Sequence, residues 1–343
     1  MSSFSTLQPF GWNDQPLPAG TFPARVIRHD GALLTAITST GVISIRNSPA
    51  LEPAPTVGDW IALSDAPDGD QRIVRVLDRT SFLRRQSVDD TGDQALAANI
   101  DVVLITCGVD RPVKPGRIDR GITQARDAGA IPVVVLTKAG AADADVVDIG
   151  KMQREHPGVS IFVTSALEGR GIDDLRAALA GRTAVLLGES GAGKSTLTNA
   201  LVGSVAATTG DVRARASKGR HTTTSRQLHV IPGGGVIIDT PGIRSVGIVA
   251  DAAAVDASFE DIVEWADGCR FGDCAHESEP GCAVREALES GELDRVRYKS
   301  WRRLQREAAS AAIRADARAR HQYARQFGRA ARQGQDHKRG TNR

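Results

Sequence analysis

The stretch "GESGAGKST", residues 188–196, concentrates more chemistry than any other segment of this 343-residue chain. It matches G-x-x-x-x-G-K-[ST], with Gly188, Gly193, Lys194 and Ser195 in the fixed positions. Glycines at both ends let Glu189, Ser190, Gly191 and Ala192 turn tightly enough to aim backbone N–H groups at phosphate oxygens. Lys194 adds a cation near the β- and γ-phosphates, and Ser195 offers a hydroxyl to Mg²⁺. A helix that starts at Lys194 and runs on through Thr196 brings its positive end to the same place.

Two further segments belong with this loop. "VIIDTPG" reads as a buried strand that delivers Asp239 to a sheet edge, where the carboxylate can hold the Mg²⁺ shell and the Gly242 N–H can reach a γ-phosphate. Between them lies "GRHTTTS", in which a threonine on a flexible loop can close over metal and phosphate. Thr222, Thr223 and Thr224 all qualify, and Thr223 is the choice. His221 is the nearby group whose ordinary pKa suits orienting a water.

A separate cluster, "CRFGDCAHESEPGC", places Cys269, Cys274, His276 and Cys282 as C-x4-C-x-H-x5-C. Three thiolates and one imidazole make a closed tetrahedral Zn²⁺ set, with Gly272, Pro280 and Gly281 allowing the bends. With no fifth ligand or base nearby, the zinc is expected to be structural. Cys107, at the end of a strand-like run, reads as a core residue.

These groups need a frame. From about 100 to 240, apolar runs ("VVLIT", "IPVVVLT", "SIFVTS", "TAVLLG", "GVIIDT") alternate with helical stretches, which implies a parallel sheet covered on both faces. The phosphate loop sits where it must, after "TAVLLG" and before "KSTLTNALVG". Residues 20–80 instead hold five short strand-like runs punctuated by Gly, Pro and Asp, a pattern that fits a small barrel of the oligonucleotide-binding (OB) type. Arg25, Arg28, Arg46, Arg72, Arg75 and Arg79 suit a nucleic-acid face on it. The expected division is a barrel with an N-terminal extension at 1–83, a phosphate-loop domain at 84–248, and a helical zinc-binding domain with a basic tail at 249–343. Residues 208–227 are expected to form a mobile loop and the last dozen a disordered tail.

Composition narrows the partners. Residues 298–343 hold 13 Lys/Arg against three Asp/Glu, a net +10, which leaves −8 on residues 1–297 and gives the chain's +2. A basic tail on an acidic body suggests a polyanion. No run approaches the ~18–20 apolar residues of a membrane span, and the start of the chain lacks a secretory signal, so a cytoplasmic protein without a membrane partner is expected.

A guanine site would also need a base reader of the form N-K-x-D and a following S-A, normally after DTPG. Nothing after residue 242 fits. Ahead of the phosphate loop, however, "VVVLTKAG" ends a strand with Thr137, Lys138, Ala139 and Gly140, and "VTSALEG" ends the next with Thr164, Ser165 and Ala166. The parts are present in rotated order: base reader, phosphate loop, switches.

With barrel, "TKAG", "VTSA", "GESGAGKST", "GRHTTT", "DTPG" and the cysteine cluster together, the sequence resembles the circularly permuted GTPases, and most closely their ribosome small subunit-dependent branch. The resemblance spans nearly the whole chain. It implies a permuted P-loop domain between an OB-type barrel and a zinc domain, and Mg²⁺-dependent conversion of GTP to GDP and phosphate. It also implies one Zn²⁺ per chain, and a partner in the small (30S) ribosomal subunit and its 16S rRNA, which would stimulate hydrolysis late in subunit maturation. A monomer is expected. Ile243 stands where Ras-type enzymes carry a water-positioning Gln, so unstimulated hydrolysis should be slow. The base reader departs from the family pattern: Thr137 replaces Asn, and Gly140 replaces the Asp that would accept from guanine. Asp143 is a candidate substitute. The alternative functions are an RNA-binding assembly factor with weak or relaxed GTP/ATP turnover, and an ATPase.

Overall fold

Alternation of small apolar and polar residues over short runs makes half-buried strands, and in the first 80 residues five of them form. The computed structural model describes residues 4–48, 50–66, 70–86, 93–140, 147–204, 226–239 and 250–316. Strands β1 (Phe22–Asp30), β2 (Leu33–Thr38), β3 (Gly41–Arg46), β4 (Trp60–Asp65) and β5 (Gln71–Val76) are all antiparallel to their neighbours. Their order is β3-β2-β1-β4-β5, and β3 comes back alongside β5. The barrel so formed holds Ala24, Val26, Leu34, Ala36, Ile45, Ile61, Leu63 and Val76 inside. An irregularity between Val26 and Arg28 bends β1, so that one long strand serves three partners.

The third of those partners ties the barrel to the second sheet segment. Strands β8 (Val102–Gly108), β9 (Ile131–Thr137), β10 (Ser160–Val163), β11 (Thr183–Gly188) and β13 (Val236–Asp239) are parallel, in the order β10-β9-β8-β11-β13. Strand β12 (Arg226–Val230) lies antiparallel to β13, and β1 pairs with its free edge at Arg28↔Gln227 and His29↔Arg226. Of the loop expected at 208–227, residues 208–225 lie outside the described residues, and Arg226 and Gln227 belong to a strand. A hairpin of β6 (Phe82–Gln86) and β7 (Asp93–Ala98) lies between barrel and sheet in the chain, and β6 spans the 83/84 boundary.

Both faces of the parallel strands are covered, as continuous apolar runs require. Val103, Ile105, Val134, Leu136, Val185 and Leu187 face one core with Ile118, Ile122 and Ala125 of α1 (Pro115–Asp127). Val102, Leu104, Val133, Val135, Ala184 and Leu186 face another with α3 (Ile172–Ala178) and α4 (Lys194–Val202). Helix α2 (Ile149–Glu155) adds Met152 to the first core.

Residues up to 248 form one compact unit and those from 249 a second. The second holds α5 (Ala252–Ser258), α6 (Glu260–Asp267), α7 (Ala283–Ser290) and a last helix, α8, described over 295–316. Its core joins Val255, Phe259, Ile262, Val284, Ala287, Leu293, Trp301, Leu304 and Ala308. The start of the basic C-terminal segment is thus a packed helix: Ala308 and Ala311 are buried. Among the described residues no helix is long and apolar enough to cross a membrane.

Candidate nucleotide site and metal centre

In a parallel sheet the loops leaving the carboxyl ends of the strands gather along one edge, where ligands bind. The loops after β8, β9, β10 and β11 all leave this edge, and three of them carry the residues singled out from the sequence.

The phosphate loop leaves β11 at Gly188. A Cβ there would stand 2.5 Å from the Thr106 carbonyl oxygen on β8, so only glycine lets the two strands run so close. Gly193, at φ +85°, turns the chain into α4 in the left-handed region that glycine favours. Lys194 Nζ donates to the carbonyls of Gly188 (2.7 Å) and Glu189 (2.6 Å), which curls the side chain back over the loop. Burial lowers the Lys194 pKa, opposed by the carboxylates of Asp239 and Glu189. Asp239 is buried at the end of β13. Ser195 and Thr196 lie half-buried in the first turn of α4.

The base-reading candidates sit against this loop. Thr137 Oγ1 donates to the Ala192 carbonyl at 2.7 Å, with a longer contact to the Cys107 carbonyl at 3.3 Å. The hydroxyl thus ties the "TKAG" loop to the phosphate loop, as its sequence position suggests. Lys138 takes φ +64°, uncommon for a residue with a side chain, and its stem runs past Gly108 and Gly193. Its Nζ reaches Asp110 Oδ2 at 2.7 Å, and this hydrogen bond pulls the Asp110 carboxyl below the usual range. Ala139 N donates to the Thr164 carbonyl at 3.1 Å, which joins the loops after β9 and β10, and Ser165 N donates to the Arg170 carbonyl at 3.0 Å within the second of them. Ala166 lies in the turn that follows. His221, Thr222, Thr223, Thr224, Gly242 and Ile243 lie outside the described residues, as does Asp143.

Several members of this edge escaped sequence reading. Arg111 Nη2 donates to the Ser190 carbonyl at 3.4 Å, and Arg117 is ion-paired with Glu189, so two cations brace the outside of the phosphate loop. Asp110, Glu168 and Arg170 also belong here. The usable signal was position: "GVDRPVKPGR" follows β8, and every loop at the carboxyl edge of a parallel sheet is a candidate. Cys107 is half-buried in β8 and packs against the core, and burial pushes its thiol up to about 11.

Of the six barrel arginines, Arg28, Arg46, Arg72 and Arg75 are exposed. Arg25 and Arg79 are not available as a face. Arg25 is fully buried, and Arg79 grips buried Asp59 through two bonds, at 2.8 and 2.7 Å.

In the second unit, Cys269, Cys274, His276 and Cys282 bring their donor atoms within 4.8 Å of one another. A tetrahedral zinc with Zn–S about 2.3 Å and Zn–N about 2.0 Å needs S···S of about 3.8 Å and S···N of about 3.5 Å. Cys269 and Cys282 sulfurs are 3.9 Å apart, and each lies 3.5 Å from His276 Nδ1. The donor set fits that metal. Glu279, between His276 and Cys282, accepts from the N–H groups of Ala275 (2.9 Å), Glu277 (2.9 Å) and Ser278 (3.0 Å), and its own backbone N–H together with these three brings its carboxyl down to about 2. Tyr298 donates to the His276 carbonyl at 3.3 Å, and the Trp301 ring lies 5.7 Å from the His276 ring, tilted 46° to it.

A parallel-sheet edge that carries, in chain order, the "TKAG" loop, the glycine-rich loop before α4 and an Asp-bearing strand defines a P-loop fold of circularly permuted order. The chain belongs to the RsgA GTPase family, whose model matches residues 76–249. It is 41% identical to the small ribosomal subunit biogenesis GTPase RsgA of Streptomyces coelicolor, over 96% of this chain and 93% of that protein. It is 39% identical to the small ribosomal subunit biogenesis GTPase RsgA 2 of Vibrio parahaemolyticus, over 96% and 92%. Among solved structures, YjeQ from Thermotoga maritima superposes with a TM-score of 0.63 at 26% identity, covering 84% of this chain and 99% of that one. The circularly permuted GTPase YloQ shares the fold, with a TM-score of 0.60 at 21% identity over 85% and 96%.

Proposed function

We propose that this chain is a GTP-hydrolysing factor in biogenesis of the small (30S) ribosomal subunit, converting GTP to GDP and phosphate with Mg²⁺. The observation that carries this reading is the 2.7 Å bond between Thr137 Oγ1 and the Ala192 carbonyl, which joins a base loop to a phosphate loop in the permuted order of a family of GTPases. In this reading residues 188–196 cradle the phosphates, Lys194 neutralises charge on the β- and γ-phosphates, and the Gly242 N–H meets the γ-phosphate. Ser195 and Thr223 would hold Mg²⁺, with Asp239 in its outer shell; the ion supplies charge neutralisation across the phosphates. His221 orients the attacking water, and Thr137, Lys138, Ala139, Gly140, Ser165 and Ala166 form the base slot.

The division of labour follows the sequence: a barrel at 1–83 and a zinc domain at 249–343 engage 16S rRNA, and residues 84–248 carry the switch. One structural Zn²⁺ sits on Cys269, Cys274, His276 and Cys282. The factor acts as a cytoplasmic monomer. With Ile243 after DTPG, turnover is slow until the subunit completes the site. Phosphate release from GTP and from ATP, with and without purified small subunits, tests this. GTP hydrolysis accelerated by subunits is expected; equal, unstimulated release from both nucleotides would overturn it.

A further inference from the structure

Gly140 stands where the family pattern places an Asp, and the loss of that carboxylate leaves the base slot without its expected acceptor. The space beyond Gly140 is nevertheless filled. A Cβ built on Gly140 would lie 2.2 Å from Glu168 Oε1, 2.9 Å from its Cδ and 3.2 Å from Oε2. A carboxylate from the loop after β10 therefore occupies the place where a side chain at 140 would begin.

That carboxylate is positioned. Arg170 Nη2 donates to Glu168 Oε2 at 2.7 Å and to the Ala139 carbonyl at 3.4 Å, so one guanidinium binds Glu168 to the "TKAG" loop. The Ser165–Arg170 bridge closes the loop that carries it. With Oε2 on Arg170, Oε1 is the oxygen nearest Gly140. The Arg170 hydrogen bond and charge, with a smaller contribution from Ser165, hold the Glu168 carboxyl below the ordinary range, so it is an acceptor at neutral pH. Leu167, beside it, is 91% exposed and leaves apolar surface at the same loop tip.

We propose that Glu168 is the guanine-reading residue of this site, its carboxylate accepting from the N1–H and N2 amine of the base in place of an Asp at 140. The chemistry selects one purine. Guanine presents two donors on that edge, whereas adenine presents an acceptor at N1 and no amine at C2. An acceptor-only group therefore binds guanine and repels adenine. The inference rests on the GTP-binding reading above and deepens it.

The test is titration of GDP, ADP and xanthosine diphosphate against the full-length chain, with circular dichroism to check each variant's fold. The unmodified chain should prefer GDP to ADP. Glu168→Ala should weaken GDP about tenfold to a hundredfold per bond lost and leave ADP no weaker, since the repulsion of adenine N1 goes with the carboxylate. Glu168→Gln should shift the preference toward xanthosine diphosphate, because an amide can donate to the carbonyl at xanthine C2 while still accepting from N1–H. Gly140→Asp combined with Glu168→Ala should restore GDP, since the space at 140 is then clear and a carboxylate returns from that side. Asp143→Ala should change nothing. Unchanged GDP selectivity in Glu168→Ala, equal GDP and ADP affinity in the unmodified chain, or loss of selectivity only in Asp143→Ala would each overturn the proposal while leaving the site itself intact. A folded chain that binds no diphosphate would overturn the nucleotide-site reading instead, and this proposal with it.

Discussion

Replacing Arg25 by Met should loosen the barrel from the parallel sheet. Arg25 is 1% exposed, and its guanidinium donates Nε to the Gly58 carbonyl (3.2 Å) and Nη2 to the Asn99 carbonyl (3.1 Å) and Thr183 Oγ1 (2.9 Å). Nη1 reaches the Phe10 carbonyl, and the group lies 5.3 Å over the Trp60 ring. One side chain thus fastens the N-terminal turn, the segment before β4, the β7–β8 junction and the start of β11. Burial draws its pKa down to about 10, partly opposed by Asp101 and Asp59, so it is still charged at neutral pH. Methionine keeps the apolar stem and removes every donor. Four bonds from a charged donor contribute about 6–12 kcal/mol at ~1.5–3 kcal/mol each. Relief of guanidinium desolvation offsets several kcal/mol of that. A net loss of about 3 kcal/mol follows, or about 6–12 °C in Tm for a unit of roughly 250 residues. Scanning calorimetry of the full chain should show the larger unit melting earlier while the zinc unit is unchanged. A shift below about 2 °C would refute the claim that this arginine joins barrel and sheet.

Other perturbations bear on the sites themselves. Lys194→Ala or Ser195→Ala should abolish hydrolysis and sharply weaken triphosphate binding; unchanged turnover in both would place the active site elsewhere. Elemental analysis should find one zinc per chain, and Cys274→Ser should lose it together with the helicity of residues 250–316; a metal-free chain with full helicity would contradict this. Because Arg170 lowers the Glu168 pKa, the acceptor form is present above the ordinary Glu value and is lost only as pH falls below it. Preference for GDP over ADP should therefore stay flat from about pH 8 to about pH 5, and a decline between pH 8 and 6 would point to a different group. Truncation after residue 316, which spares the packed part of α8, should flatten the salt dependence of subunit binding by about 0.7–0.9 in log–log slope per phosphate contact removed; an identical slope would make the tail a bystander.

What could be read from the chain was local. β11, the glycine loop and α4 follow one another within 20 residues, and their periodicity and glycine placement specify both the elements and their chemistry. The barrel strands and the cysteine spacing were legible for the same reason. What could not be read depends on contacts far apart in sequence. β12 is "RQLHV", with Leu228 its one buried residue, and it is a strand because β13 and β1 hydrogen-bond to its two edges. Arg25 reads as one more cation on a basic barrel, yet its partners come from as far as Thr183. Glu168 sits at a position that no motif marks, 28 residues from Gly140, and only the folded loops put its carboxylate there.

In the proposed function, the loops at 137–140 and 165–170 and the phosphate loop at 188–196 act as one nucleotide site despite their rotated order, and backbone hydrogen exchange with and without GDP puts this to the test. GDP should slow exchange in all three segments together and leave the exposed strands of the barrel unaffected. Protection confined to 188–196, with 137–140 and 165–170 exchanging as in the free chain, would contradict it.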